Sequence, residues 1–290
     1  MDKALRTTLE ALGADIAPPM IQGTQQHFAR AFAEMDPATI VTRDAAYGPD
    51  ERNRLDIFTT AGRKDAPVLV FVHGGGFVMG DKRMTDTPFY DNVGDFAVRS
   101  GYVGVTLTYR LAPAHPWPAG PEDMAQAVAW LRAHIVEHGG DPARIYLMGQ
   151  SAGGTHVASY VAFPRFHAAD GTGLAGALLI SAVYDAATMP PSPLHAAYYG
   201  EDHSRYADFA TIDGLVASDL PLLYSVSEFD PVDFRRQAAR LAAGYDKAGR
   251  DFPRLHWLGG HNHLSPVLAI GSPGETLGPH IRAFIEATAG

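Results

Sequence analysis

The stretch with the clearest chemistry is Gly149-Gln150-Ser151-Ala152-Gly153, a serine between two glycines. Arg144 to Met148 before it read as a buried strand, and Ala152 to Phe163 after it as an Ala- and Val-rich helix. A reversal this tight forces the serine into a strained backbone conformation, which small neighbours accommodate. Its hydroxyl then stands at the carboxyl end of a sheet, beside a helix N-terminus whose amides and dipole favour a developing negative charge. A serine hydroxyl is a poor nucleophile near neutral pH unless a base takes its proton, and that base needs a third group to fix its tautomer and balance its charge. Two downstream stretches can supply them. Ser225 to Pro231 follows one predicted strand, and Gly259-Gly260-His261-Asn262-His263 follows the next. Asp230 is the preferred acid because its Asp-Pro pair follows the strand directly, with Glu228 and Asp233 as lesser candidates. Either His261 or His263 can be the base, since only one of them can reach both the serine and the aspartate.

The elements that must carry these residues alternate. Strands are predicted at Arg54 to Thr59, Pro67 to His73, Tyr102 to Tyr109, Arg144 to Met148, Ala175 to Val183, Pro221 to Val226 and Arg254 to Leu258. Helices are predicted from Pro121 to about Val136, across Ala152 to Phe163, from Phe234 to Lys247 and from about Gly278 to Ala287. This order implies an α/β fold with a mostly parallel sheet of about eight strands covered on both faces. Leu5, Leu9, Leu12 and Ile16 fall at helical spacing until Pro18-Pro19 stops the helix. Phe28, Phe32 and Met35 mark a second helix before Pro37. These N-terminal helices, within residues 1–43, either pack on the body or cap a cleft, and the polar, aromatic stretch 186–218 forms a possible second cap segment. No domain linker or repeat interrupts the chain, so residues 1–290 are read as a single domain.

Composition narrows the function classes. The 290 residues are enough for a sizeable core, and the formal charge of −9 with scattered Lys and Arg argues against nucleic acid as a partner. The absence of cysteine removes disulfides, thiolate metal sites and cysteine nucleophiles. No signal-type apolar run stands at the N-terminus and none later approaches a membrane span, so a cytoplasmic protein without membrane contact is expected. His134-Ile135-Val136-Glu137-His138 fits an H-x-x-E-H zinc pattern, but it sits at a predicted helix end before two glycines, where capping accounts for the histidines. Gly171 to Gly176 fits G-x-G-x-x-G yet precedes a strand, so it lacks the helix N-terminus that would hold a pyrophosphate. His261 and His263 could chelate a metal only with a third ligand that the sequence does not offer. No metal and no cofactor are expected.

With His73-Gly74-Gly75-Gly76, Tyr109-Arg110-Leu111-Ala112-Pro113, the serine elbow and Asp230-Pro231 in this order, the chain resembles an α/β-hydrolase of the hormone-sensitive-lipase-like carboxylesterase group over residues 67–263. The resemblance implies an α/β-hydrolase fold with an N-terminal helical cap and a cofactor-free serine esterase acting on short-chain or small aromatic esters. It also implies the order Ser151, Asp230, His263 for the triad, an oxyanion hole built from Gly75, Gly76 and Ala152, and a loop-shaping role for His73. Asn262-His263-Leu264-Ser265 departs from the group's usual ending toward that of arylformamidase-like relatives, which favours His263 over His261 and makes formamide or amide hydrolysis the alternative activity. A non-catalytic small-molecule binder on the same fold is the alternative of another class.

Overall fold

Apolar runs such as Val68 to Val72 and Ile145 to Met148 bury both faces of their strands. Val68, Val70 and Val72 face one core with Ile145 and Leu147, while Leu69 and Phe71 face the other with Tyr146 and Met148. Strands buried on both sides read as continuous hydrophobic runs, and that composition demands a helical layer on each face. The computed structural model, which describes residues 3–32 and 34–288, has this arrangement.

In chain order the strands are β1 (Ile40–Ala46), β2 (Arg54–Thr59), β3 (Ala66–Val72), β4 (Val103–Leu107), β5 (Gly140–Gln150), β6 (Gly176–Ile180), β7 (Leu222–Phe229) and β8 (Arg254–Asn262). They form one sheet in the order β1-β2-β4-β3-β5-β6-β7-β8. The pairs β1–β2 and β2–β4 are antiparallel and the remaining neighbours are parallel. The helices are α1 (Lys3–Leu12), α2 (Pro18–Ala31), α3 (Asp91–Arg99), α4 (Ala119–His134), α5 (Ala152–Ala162), α6 (Pro193–Tyr199), α7 (Ile212–Ala217), α8 (Val232–Lys247), α9 (Ser265–Leu268) and α10 (Leu277–Thr288). Side chains of α4, α5, α7 and α8 fill one core, and those of α1, α2, α3, α9 and α10 the other. The sequence expectation of an α/β-hydrolase sheet with N-terminal helices agrees with this.

Several elements differ from the sequence reading, α3, α6 and α7 among them, and two differences are instructive. β1 was not expected, because its residues alternate between half-buried and exposed, with none buried, and carry no apolar period at the sheet edge. Pro18 and Pro19 do not simply end a helix. They begin α2, where a missing amide hydrogen and a fixed φ suit the first turn.

A third apolar cluster lies above the carboxyl ends of the strands. Tyr198, Tyr199 and Tyr206 from the 186–218 stretch meet Phe77, Val183 and Ala152 there. The rings of Phe77 and Tyr198 stack 4.4 Å apart with 3° between their planes, and the Trp117 amide donates to the Tyr198 carbonyl at 2.8 Å. The N-terminal helices instead lean on the β8 side. Leu5 and Leu9 are buried there, Arg6 holds Glu228 through both guanidinium nitrogens at 2.6 Å, and the Asn262 amide donates to the Thr24 hydroxyl.

Candidate active site

Ser151 sits between β5 and α5 with φ 55° and ψ −123°, a left-handed conformation that a non-glycine residue enters only under constraint. Packing imposes it. A Cβ at Gly149 would collide with the Gly153 carbonyl, and one at Gly153 would collide with the carbonyls of Val72 and His73, so both flanking glycines are required by how closely helix and strand approach. The Ser151 amide donates to the Ile180 carbonyl at 2.9 Å, which locks the elbow to β6.

Asp230 is wholly buried after β7. Its Oδ1 meets His263 Nδ1 at 2.6 Å, while its Oδ2 accepts from the Ser227 amide at 2.6 Å and from the Ser181 hydroxyl at 2.7 Å. The lesser acid candidates lie elsewhere. Glu228 is committed to Arg6 and the Gly260 amide, which pull its carboxyl down to about 2, and Asp233 pairs with Arg236. A chain of contacts closes on itself here. Ser151 is bonded to Ile180, the next residue Ser181 to Asp230, Asp230 to His263, and the His263 carbonyl accepts from Gln150 Nε2 at 2.9 Å, one residue before Ser151. The structure therefore brings the predicted acid and histidine into direct contact, while Ser151 is tied to them through its neighbour Gln150 and through Ile180 and Ser181, at the carboxyl ends of β5, β7 and β8.

The two histidines part because β8 ends between them. On a continuous strand residues two apart share a face, but β8 stops at Asn262 and His263 leaves its line. His261 is buried with Nδ1 against the Ser265 hydroxyl at 2.8 Å and Nε2 against the Thr276 hydroxyl at 2.6 Å, so both ring nitrogens are occupied. Burial pushes its imidazole down to about 4. His263 uses only Nδ1. Its Nε2 is buried with no hydrogen-bond partner among the described residues, and its ring lies 4.5 Å from that of Phe234. His263 Nε2 makes no hydrogen bond to the Ser151 hydroxyl; contacts between such groups are often formed only once substrate is bound.

The glycine loop follows β3. Gly75 and Gly76 have φ of 130° and 59°, and a Cβ at Gly75 would collide with the Met79 carbonyl in the turn that the Met79 amide closes onto Gly75. Among the described residues the amides of Gly75, Gly76 and Ala152 donate to no protein acceptor. The last is one of the unsatisfied first-turn amides of α5. His73 braces this loop. Its Nδ1–H donates to the Gly74 carbonyl at 2.6 Å, its ring stacks on Tyr109 at 4.4 Å, and the Tyr109 hydroxyl donates to the His73 carbonyl at 2.9 Å. Complete burial pushes His73 down to about 4, which keeps it neutral. The neighbouring Arg110 pairs with buried Asp123 at 2.8 Å, and the Ala112 amide donates to the Phe77 carbonyl at 3.0 Å, so the Tyr-Arg-Leu-Ala-Pro stretch acts as a brace for the glycine loop.

Ser181 and Gln150 carry contacts that sequence reasoning missed. Both are buried polar residues at strand ends, a visible signal, but their partners lie far away in the chain. The set-aside motifs stay outside the site. His134 pairs with Glu137 at the end of α4, and the glycines 171 and 173 line a surface groove of about 500 Å³ with Arg132, Asp170 and Ser218. No cluster of three or more His, Asp or Glu side chains able to hold a metal occurs among the described residues. No helix among them is long and apolar enough to cross a membrane.

An elbow serine after a parallel strand, a glycine loop beside it and an acid–histidine pair from the following strand ends define the hydrolase class of α/β folds. A family model described as alpha/beta hydrolase fold matches residues 69–263, and the chain belongs to that family. It is 34% identical over 206 residues to the esterase LipQ of Mycobacterium tuberculosis, covering 66% of this chain and 47% of LipQ. It is 44% identical over 93 residues to the carboxylesterase NlhH of the same organism, covering 32% and 28%. The chain thus spans about half or less of the length of these relatives. Among solved structures, an esterase from Pyrobaculum calidifontis superposes with a TM-score of 0.74 at 22% identity, over 100% of this chain and 99% of that one. Esterase B of Lactobacillus rhamnosis, inhibited by a tributyrin phosphonate, does so with a TM-score of 0.74 at 17% identity, over 100% and 97%.

Proposed function

We propose that the protein is a serine carboxylesterase that hydrolyses short-chain or small aromatic esters through an acyl-enzyme intermediate. The observation that carries this reading is the buried Asp230–His263 pair at 2.6 Å, whose second imidazole nitrogen is left without a partner beside the Ser151 elbow. Ser151 Oγ attacks the ester carbonyl while His263 Nε2 takes its proton. Asp230 holds the Nδ1–H tautomer and balances the imidazolium that forms. The carbonyl oxygen, now negative, takes hydrogen bonds from the Gly75, Gly76 and Ala152 amides, a stabilisation that grows with charge as the tetrahedral state develops. His263 then returns the proton to the leaving alcohol, and water repeats the sequence to free the acid.

Apolar side chains surround the site and suit the acyl part of an ester. Leu194 of α6 lies against Gly76, Phe234 lies against His263, and Ala152 belongs to the aromatic cluster under the 186–218 stretch. On this reading 186–218 caps the oxyanion side, and α1 and α2 close the histidine side through Thr24 and Arg6. Rates on p-nitrophenyl acetate, butyrate and decanoate and on an aryl formamide test the proposal. Highest kcat/KM on the two short esters is expected. A preference of more than about tenfold for the formamide, or for the decanoate, overturns the substrate class.

A further inference from the structure

We propose that Ser181 is a positioning residue for Asp230, a fourth member of the hydrogen-bonded array that aims the base at the nucleophile. The inference rests on the triad reading above. Asp230 offers Oδ1 to His263 and Oδ2 to two donors, the Ser227 amide at 2.6 Å and the Ser181 hydroxyl at 2.7 Å. One donor on Oδ2 leaves the carboxylate free to pivot about that contact. The second fixes the plane of the group, and with it the direction in which Oδ1 presents itself to the imidazole.

Ser181 has the backbone of a residue kept for its side chain. It follows β6 directly, is buried, and holds φ 45°, a region in which glycine or asparagine is the easier occupant. Its amide donates to the Ser225 carbonyl at 2.9 Å, and the preceding Ile180 carbonyl receives the Ser151 amide. The same two residues therefore tie the nucleophile's elbow to the acid. Ser225 and Ser227 also bury their hydroxyls nearby, but these have no partner among the described residues, so Ser181 is there the one side-chain hydroxyl on the carboxylate. Besides His263, the titratable group that senses Asp230 is Tyr184, whose phenol is pushed far up by burial and by the Asp230 charge and stays neutral.

The test is the pH profile of Ser181→Gly and Ser181→Ala. Both lose the hydroxyl. Glycine accepts φ 45° without strain, so a folding defect is not expected of that variant. With one donor gone from Oδ2, negative charge shifts toward Oδ1 and the imidazolium of His263 gains stability. The acidic limb of kcat/KM against pH, which reports the base in the free enzyme, moves up by about half a unit or more. Turnover falls by about tenfold or more, the fold-change that accompanies loss of a hydrogen bond to a charged group, while KM changes little. An acidic limb that stays in place or moves down in both variants overturns the proposal, whatever happens to turnover. Ser151→Ala measured in parallel separates the two claims. Activity surviving there refutes the triad and this role together, whereas an inactive Ser151→Ala with an unmoved limb in the Ser181 variants refutes Ser181 alone.

Discussion

Lowering the pH from 8 to 5 is expected to remove about 6 kcal/mol of stability through three histidines that take no proton in the folded protein. His73, His156 and His261 are buried, and burial pushes their imidazoles down to about 4, 3 and 4. The unfolded chain returns each to about 6.5. A folded value below the unfolded one means that the stabilisation is complete above pH 6.5 and is lost as pH falls toward the folded value. At pH 5 the unfolded imidazoles are almost fully protonated and the folded ones almost not at all, which amounts to about 2 kcal/mol for each histidine. Against the 5–15 kcal/mol typical of a folded domain the effect is large. Urea unfolding of the wild type and of His156→Phe, at pH 8 and at pH 5, measures it. His156 lies among Phe77, Tyr109 and Tyr198, so a phenyl ring suits the space, although the Tyr198 hydroxyl loses its 3.1 Å partner. The variant should lose about a third less stability than the wild type over this interval. Wild-type stability that is flat between pH 8 and 5, or a variant that falls as steeply as the wild type, refutes the reasoning. The low basicity that burial gives His73 and His261 also makes them poor candidates for the base.

His263→Ala should lower turnover by about three orders of magnitude or more, as loss of a triad member does, while His261→Ala, which removes a ring held by two hydroxyls, should act mainly on stability. A folded His263→Ala protein with near-normal kcat on p-nitrophenyl butyrate, beside an inactive His261→Ala, transfers the role. In Gly153→Ala the new methyl meets the Val72 and His73 carbonyls, so β3 and α5 must separate. A loss of about 2 kcal/mol or more is expected, read as a lower midpoint in scanning calorimetry. Tyr109→Phe leaves the His73 carbonyl without its donor. It should cost about 1–2 kcal/mol in urea unfolding and, on the proposed mechanism, lower kcat more than it raises KM, because the glycine loop loses its brace.

What could be read from the sequence follows from how local the cause was. The serine elbow, the glycine loop and the acid after β7 were legible because each is a short stretch whose residue types are dictated by its own turn: two glycines where strand and helix nearly touch, and an Asp-Pro where a strand gives way to a helix. The central strands were legible because burial on both faces leaves an unbroken apolar run. β1 was not, since an exposed edge strand needs no such run. α3 was missed because the buried Val93, Phe96 and Val98 are interspersed with buried Asn92 and Gly94, the latter packed on the Phe58 ring, which blurs the apolar period of a short helix. The separation of His261 from His263 depends on where β8 stops. Ser181 and Gln150 escaped because a hydrogen bond between residues 49 or 113 positions apart has no local signature.

The central claim is that Ser151 forms the covalent intermediate, and stoichiometric inactivation with diethyl p-nitrophenyl phosphate followed by peptide mass mapping tests it most directly. The account predicts one diethylphosphoryl group per chain, carried on Ser151, appearing in step with the loss of esterase activity and largely absent from His263→Ala over the same time. Complete inactivation with the label on another residue, or undiminished hydrolysis by a protein fully labelled at Ser151, would contradict it.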